Sequence, residues 1–155
     1  MPDPLLTSAR DLLRRARDDM RAAIEGLPLD ALNWRPAGDG TSSIATIANH
    51  SLLSTRQWLS VAVGAPLPDR DRPTEFDDAA RDAGELLALT DGLFEDCLAL
   101  VDKSREVDWG ALRRHWDPGR DIEIFAAWAL LHAVEHLREH VGQISLTRQL
   151  WENRA

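Results

Sequence analysis

Residues 122–150 read IEIFAAWALLHAVEHLREHVGQISLTRQL, and this stretch decides the fold. Leu130, Val134, Leu137, Val141 and Ile144 step by four, three, four and three residues, the spacing of an apolar helical seam. About 120° around the same helix, by its 3.6-residue period, runs a second stripe. It holds Phe125, Ala129, His132, His136, His140, Gln143 and Thr147, while Glu135, Arg138, Ser145 and Gln149 fall on the solvent arc. One long helix over 122–150 is therefore expected, with separate packing and polar faces.

Working outward, three further helices are expected. The first covers residues 4–25, with Leu5, Leu6, Leu12, Leu13, Ala16, Met20, Ala23 and Ile24 apolar and a stop at Gly26 and Pro28. The second begins behind a cap at Thr41, Ser42 or Ser43 and runs to about residue 63, ended by Gly64, Pro66 and Pro68. The third starts near Thr74, where Glu75, Asp77 and Asp78 suit a positive helix terminus, and continues to about Lys103. No useful run alternates with period two, so a sheet is not expected. Residues 1–155 read as a single all-α domain, an antiparallel four-helix bundle.

The 155 residues suffice to bury a core without a disulfide, and the single cysteine, Cys97, sits in a leucine-rich stretch as an inert thiol. That usage fits a reducing cytoplasm. A net charge of −8 argues against nucleic acid as a partner, because phosphate binding needs a basic face. No apolar run reaches the roughly 18–20 residues of a membrane span, and the charged N-terminal stretch does not resemble a signal peptide.

Histidines four apart on a helix lie about 5–6 Å from one another, close enough to share an ion. Neutral imidazoles suit Zn, Ni, Cu or Fe. His50, among Ser43, Thr46, Ser54 and Gln57, can supply a third ligand, and three histidines leave coordination positions open for chemistry. The spacing alone serves His132 with His136 as well as His136 with His140. His115 falls in a polar loop and is expected to be solvated. Trp58 and Trp128 read as core, whereas Trp34, Trp109 and Trp116 read as loop residues over the helix ends. Phosphate-cradling loops and a nucleophile elbow are absent.

These pieces resemble the DinB-like (DinB/YfiT) superfamily of four-helix metal-binding proteins. Trp34, Pro36, Ser43, Ile44 and His50 match its Trp-x-Pro segment, Ser-Ile pair and metal-binding histidine. His136 and His140, followed by Gly142 and Gln143, resemble its His-x-x-x-His-Arg-Gly-Gln motif, with Val141 in place of the arginine. The resemblance implies His50, His136 and His140 as ligands of a divalent metal ion, Zn or Ni. His132 is then a pocket residue or alternative ligand. It further implies a homodimer and a metal-dependent S-transferase acting on a low-molecular-weight thiol such as bacillithiol or mycothiol, with a small electrophile as second substrate. A non-catalytic metal-binding module, or a hydrolase or isomerase, is the alternative. By helical phase, Glu139 and Gln143 are the candidates for orienting ligands or handling protons.

Overall fold

A computed structural model of the chain describes residues 3–76, 79–117 and 120–154. These are predominantly helical, in the order α1 (Pro4–Ile24), α2 (Leu29–Leu32), α3 (Ile44–Val63), α4 (Ala83–Lys103), β1 (Leu112–Asp117), β2 (Arg120–Phe125) and α5 (Ala126–Glu152). Asp77, Asp78, Pro118 and Gly119 lie outside the described residues, as does the side chain of Trp116.

Local chemistry sets the helix boundaries. Asp3 caps α1 by accepting from the backbone N–H of Leu5 at 2.8 Å and Leu6 at 3.2 Å, with Pro4 in the first turn. Ser43 caps α3 through the Thr46 N–H at 3.2 Å, and the helix ends at Gly64 with φ +72°. Only glycine adopts that left-handed conformation cheaply, and the Arg113 guanidinium packs closely over it. The third long helix starts nine residues later than the Thr74 expectation. Asp82 caps it through the Glu85 N–H at 2.9 Å, and Thr74–Phe76 forms an isolated 3-10 turn instead.

Ion pairs give the helix directions. Arg10 pairs with Asp102 at 3.2 Å, Arg17 with Glu95 at 3.0 Å, and Arg21 with Asp91, so α1 and α4 run antiparallel. On α5, Arg138 meets Asp19 at 2.6 Å and Arg148 reaches the Glu25 carbonyl at 2.9 Å, so α1 and α5 run parallel. Arg56 pairs with Asp96 at 3.4 Å, and Asn49 shares a cavity with Leu86 and Leu89, which makes α3 and α4 parallel. Ring contacts of His50 with His140 and of Trp58 with Trp128 make α3 and α5 antiparallel. The expected antiparallel relation thus holds for two neighbouring pairs and fails for the other two. Exposed pairs of this kind add only about 0–1 kcal/mol each, so they report direction more than they stabilise. Stability comes from the shared core of Leu13, Met20, Ile24, Leu52, Leu59, Phe94, Leu137 and Ile144, each at most 1% exposed.

Parallel α3 and α4 force the connection between them to travel back along α3. It is fixed near its end by Asn33, which exchanges two hydrogen bonds with the Ala80 backbone at 2.8 and 2.9 Å. Its middle passes over α3 carrying Arg70 and Glu75.

The antiparallel hairpin β1–β2 overturns the expectation of no sheet, and α5 begins at Ala126 rather than near residue 122. Arg113 pairs with Ile124 and His115 with Ile122, the inward positions, while Leu112, Arg114, Glu123 and Phe125 are exposed. Because Arg113 and His115 occupy the inward side of β1, its alternation carries no apolar signal. His115 is only 2% exposed and not a solvated loop residue; its ring packs on Trp58, centroids 4.5 Å apart. Trp128 is 48% exposed rather than core, and Trp58 is half-buried. Trp109 behaves as an end cap, its Nε1 donating to Asp3 Oδ2 at 2.7 Å. Cys97 is fully buried, and burial pushes its thiol up to about 12, which keeps it protonated and unreactive.

Candidate metal centre

Three helical turns on two antiparallel helices bring His50 of α3 against His136 and His140 of α5. One nitrogen from each ring lies within 4.8 Å of the others, the one such cluster among the described residues. Ring centroids are 5.6 Å apart for His50–His136, 5.3 Å for His50–His140 and 4.4 Å for His136–His140. His136 Nε2 and His140 Nε2 face each other at 3.2 Å. His132 lies outside this group: it stacks on Trp128 at 4.7 Å and meets Trp58 edge-on at 4.8 Å. Its Nδ1 is 3.9 Å from Glu135, a loose contact.

Two of the three imidazoles have their tautomers set from outside. His50 Nδ1 lies 2.9 Å from Glu75 Oε2, and a carboxylate there accepts an N–H. His140 Nδ1 lies 2.7 Å from Gln143 Oε1. With both Nδ1 atoms donating, the Nε2 atoms are the unprotonated ones, the form a divalent ion requires. The donor set therefore fits zinc or nickel, with His50, His136 and His140 as the residues that would hold it. The buried Nδ1 of His136 has no hydrogen-bond partner among the described residues.

Burial dominates the electrostatics. It holds the His50 imidazole below its ordinary range despite the opposing hydrogen bond that the ring donates to Glu75. His136 is pushed down to about 3, by burial first and then by His140 and His50 beside it. Both rings are therefore neutral near pH 7, and an ion need not displace a proton from their lone pairs.

Glu75 is the site residue that sequence reasoning misplaced. It was expected as an acidic residue at a helix start, yet it is 2% exposed and lies beneath His50. Arg70 grips it with Nε at 2.5 Å from Oε1 and Nη2 at 2.8 Å from Oε2, and donates through Nη1 to Gln57 Oε1 at 2.5 Å. Gln57 in turn lies 3.2 Å from His115 Nε2. No periodic signal marks a loop residue of this kind. Gln143 is exposed, with its Oε1 against His140 Nδ1, whereas Glu139 is exposed and has no hydrogen bond or ion pair among the described residues. Val141 is 2% exposed, so the departure from the His-x-x-x-His-Arg-Gly-Gln pattern falls in the core seam and not on the surface.

Two clefts open onto the cluster. One, of about 540 Å³, reaches His50 and His136 and is walled by Gln57, Trp58, Arg70 and His132. The other, of about 340 Å³, reaches His50 and His140 between loop 36–42 and the C-terminal half of α5. No helix among the described residues is long and apolar enough to cross a membrane.

Comparison with known proteins bears on the fold and the family. The conserved protein of an Enterococcus faecalis locus, a solved structure, superposes with a TM-score of 0.72 at 16% identity, covering 93% of this chain and 95% of that one. That likeness carries the fold alone. No curated protein matches the chain. The family model described as the DinB superfamily matches residues 12–144, a span that includes all three clustered histidines and Glu75. The chain belongs to the DinB superfamily.

Proposed function

We propose that this chain is a divalent-metal-dependent transferase that activates a low-molecular-weight thiol, built on a four-helix bundle of the DinB/YfiT metal-binding type. The observation that carries the reading is the convergence of His50, His136 and His140, with two tautomers fixed by Glu75 and Gln143. A zinc or nickel ion held there would stabilise the thiolate form of a bound thiol, the nucleophilic form. His50, His136 and His140 hold the ion, and Glu75 fixes the His50 ring. Arg70, Gln57 and Trp58 wall the larger cleft through which a polar thiol reaches the cluster.

The reading includes a cytoplasmic location and a homodimer. Leu112, Phe125, Trp128 and Leu131 support the dimer, since all are exposed and lie around the start of α5, Leu131 at 64%. A monomer by light scattering at micromolar concentration removes it.

The test is turnover of monochlorobimane with bacillithiol, mycothiol, cysteine and glutathione in turn. In that reaction the sulfur forms the new C–S bond and chloride leaves with the bonding pair. Expected is conjugation above the spontaneous rate with at least one thiol, abolished by chelator, restored by zinc or nickel, and lowered at least about 100-fold in His136→Ala. No metal-dependent turnover with any thiol leaves a metal-binding module and ends the transferase reading.

A further inference from the structure

The two clefts that meet at the imidazole cluster differ in kind. Asp69, Arg70, Asp71 and Arg72 line the larger one. The smaller is lined by Pro36, Thr41, Ser42, Thr46, Ile47, His50, His140, Gln143, Leu146, Thr147 and Leu150, with no Asp, Glu, Lys or Arg among them. In a chain of which 28% is charged and whose net charge is −8, a groove lined by no acidic or basic side chain of these four kinds is an uncommon surface. Leu146 and Leu150 on its wall are 55% and 46% exposed, which leaves apolar area open to water at the mouth of a site.

We propose that this groove binds an uncharged, apolar organic molecule, the second substrate, with its reactive end at His50 and His140. The inference rests on the transferase reading for the ligand's role, but the binding itself does not. The polar thiol and the apolar electrophile then approach the cluster from opposite sides, and His50, which borders both clefts, stands between them. The volume of about 340 Å³ accommodates roughly eleven groups of water size, at about 30 Å³ each. Thr41, Ser42, Thr46, Gln143 and Thr147 set polar atoms between the aliphatic surfaces of Pro36, Ile47, Leu146 and Leu150, enough to orient a single oxygen at the ligand's head. Gln143 is already engaged with His140, so a ligand there contacts the group that orients a ring of the cluster.

The experiment measures binding and not turnover. Primary alcohols from butanol to octanol are titrated into the purified protein in the absence of any thiol. Amide chemical shifts are followed in residues 36–47 and 143–150. Affinity is expected to rise two- to fourfold per added methylene, the increment for burying that group, with shifts confined to those two segments. Leu146→Asp and Leu150→Asp, both at exposed positions, flatten the chain-length dependence in protein that circular dichroism shows folded. Leu12→Asp, 40% exposed on α1 and away from the groove, leaves it unchanged. A flat series, shifts that map instead to Gln57, Arg70 and His115, or a wild-type series in Leu146→Asp overturns the assignment. Graded binding without thiol conjugation in any assay leaves the groove standing and removes the transferase role; conjugation with a flat series does the reverse.

Discussion

Glu75→Gln is expected to weaken metal retention by about 10- to 100-fold while leaving all three imidazoles in place. The carboxylate lies buried at the cluster's back. It receives the His50 Nδ1 proton on one side and the Arg70 fork on the other, with side-chain exposures of 9%, 3% and 11% for His50, Glu75 and Arg70. An amide of the same shape offers one acceptor oxygen to two donors and turns an NH2 group toward one of them. His50 loses the partner that fixes its tautomer, and the Arg70 charge loses its counter-ion. Removing one member of a buried pair costs about 3–5 kcal/mol, so thermal stability should fall as well. The two effects separate in a titration with a chromophoric chelator at a temperature where circular dichroism shows the variant folded. Asp69→Asn, an exposed neighbour on the same connection, is expected to change neither. Wild-type affinity in folded Glu75→Gln would remove Glu75 from the centre.

The largest effect on the fold is expected at Phe94. This ring on α4 is 1% exposed within the shared core. Truncation to alanine forfeits the transfer energy of the ring and leaves a cavity that helices on every side cannot close, at about 3–5 kcal/mol. Against a total of about 5–15 kcal/mol that is a large fraction. The melting temperature should drop by roughly 6–20 °C for a chain of this size. Leu12→Ala, at a position 40% exposed, should stay within about 0.5 kcal/mol of wild type. Calorimetry on the two variants decides it, and a Phe94→Ala cost below about 1 kcal/mol would contradict the packing described.

How much of this was legible in the sequence depended on whether a residue's role followed from its helical phase. The seam from Leu130 to Ile144 and the stripe from His132 to His140 are written in one helix, and both appear where the period puts them. Ser43 caps its helix because a short hydroxyl side chain can reach a free N–H, a local rule independent of the rest of the fold. His50 sat at the margin of its own helix's apolar arc; the family resemblance selected it and periodicity did not. Glu75 and Arg70 were beyond reach, because their positions follow from the parallel course of α3 and α4. Helix periodicity says nothing about direction. His115 was hidden for a different reason: a hairpin strand with Arg113 and His115 on its inner side has no apolar alternation to read.

The central claim is that His50, His136 and His140 together hold one metal ion. Mass-spectrometric metal content of untagged protein, measured beside His50→Ala, His136→Ala, His140→Ala and His132→Ala, tests it most directly. About one zinc or nickel ion per chain in the wild type and in His132→Ala, with loss in each of the other three, is the expected pattern. A wild type without metal after incubation with several divalent ions, or retention in His140→Ala with loss in His132→Ala, would contradict it.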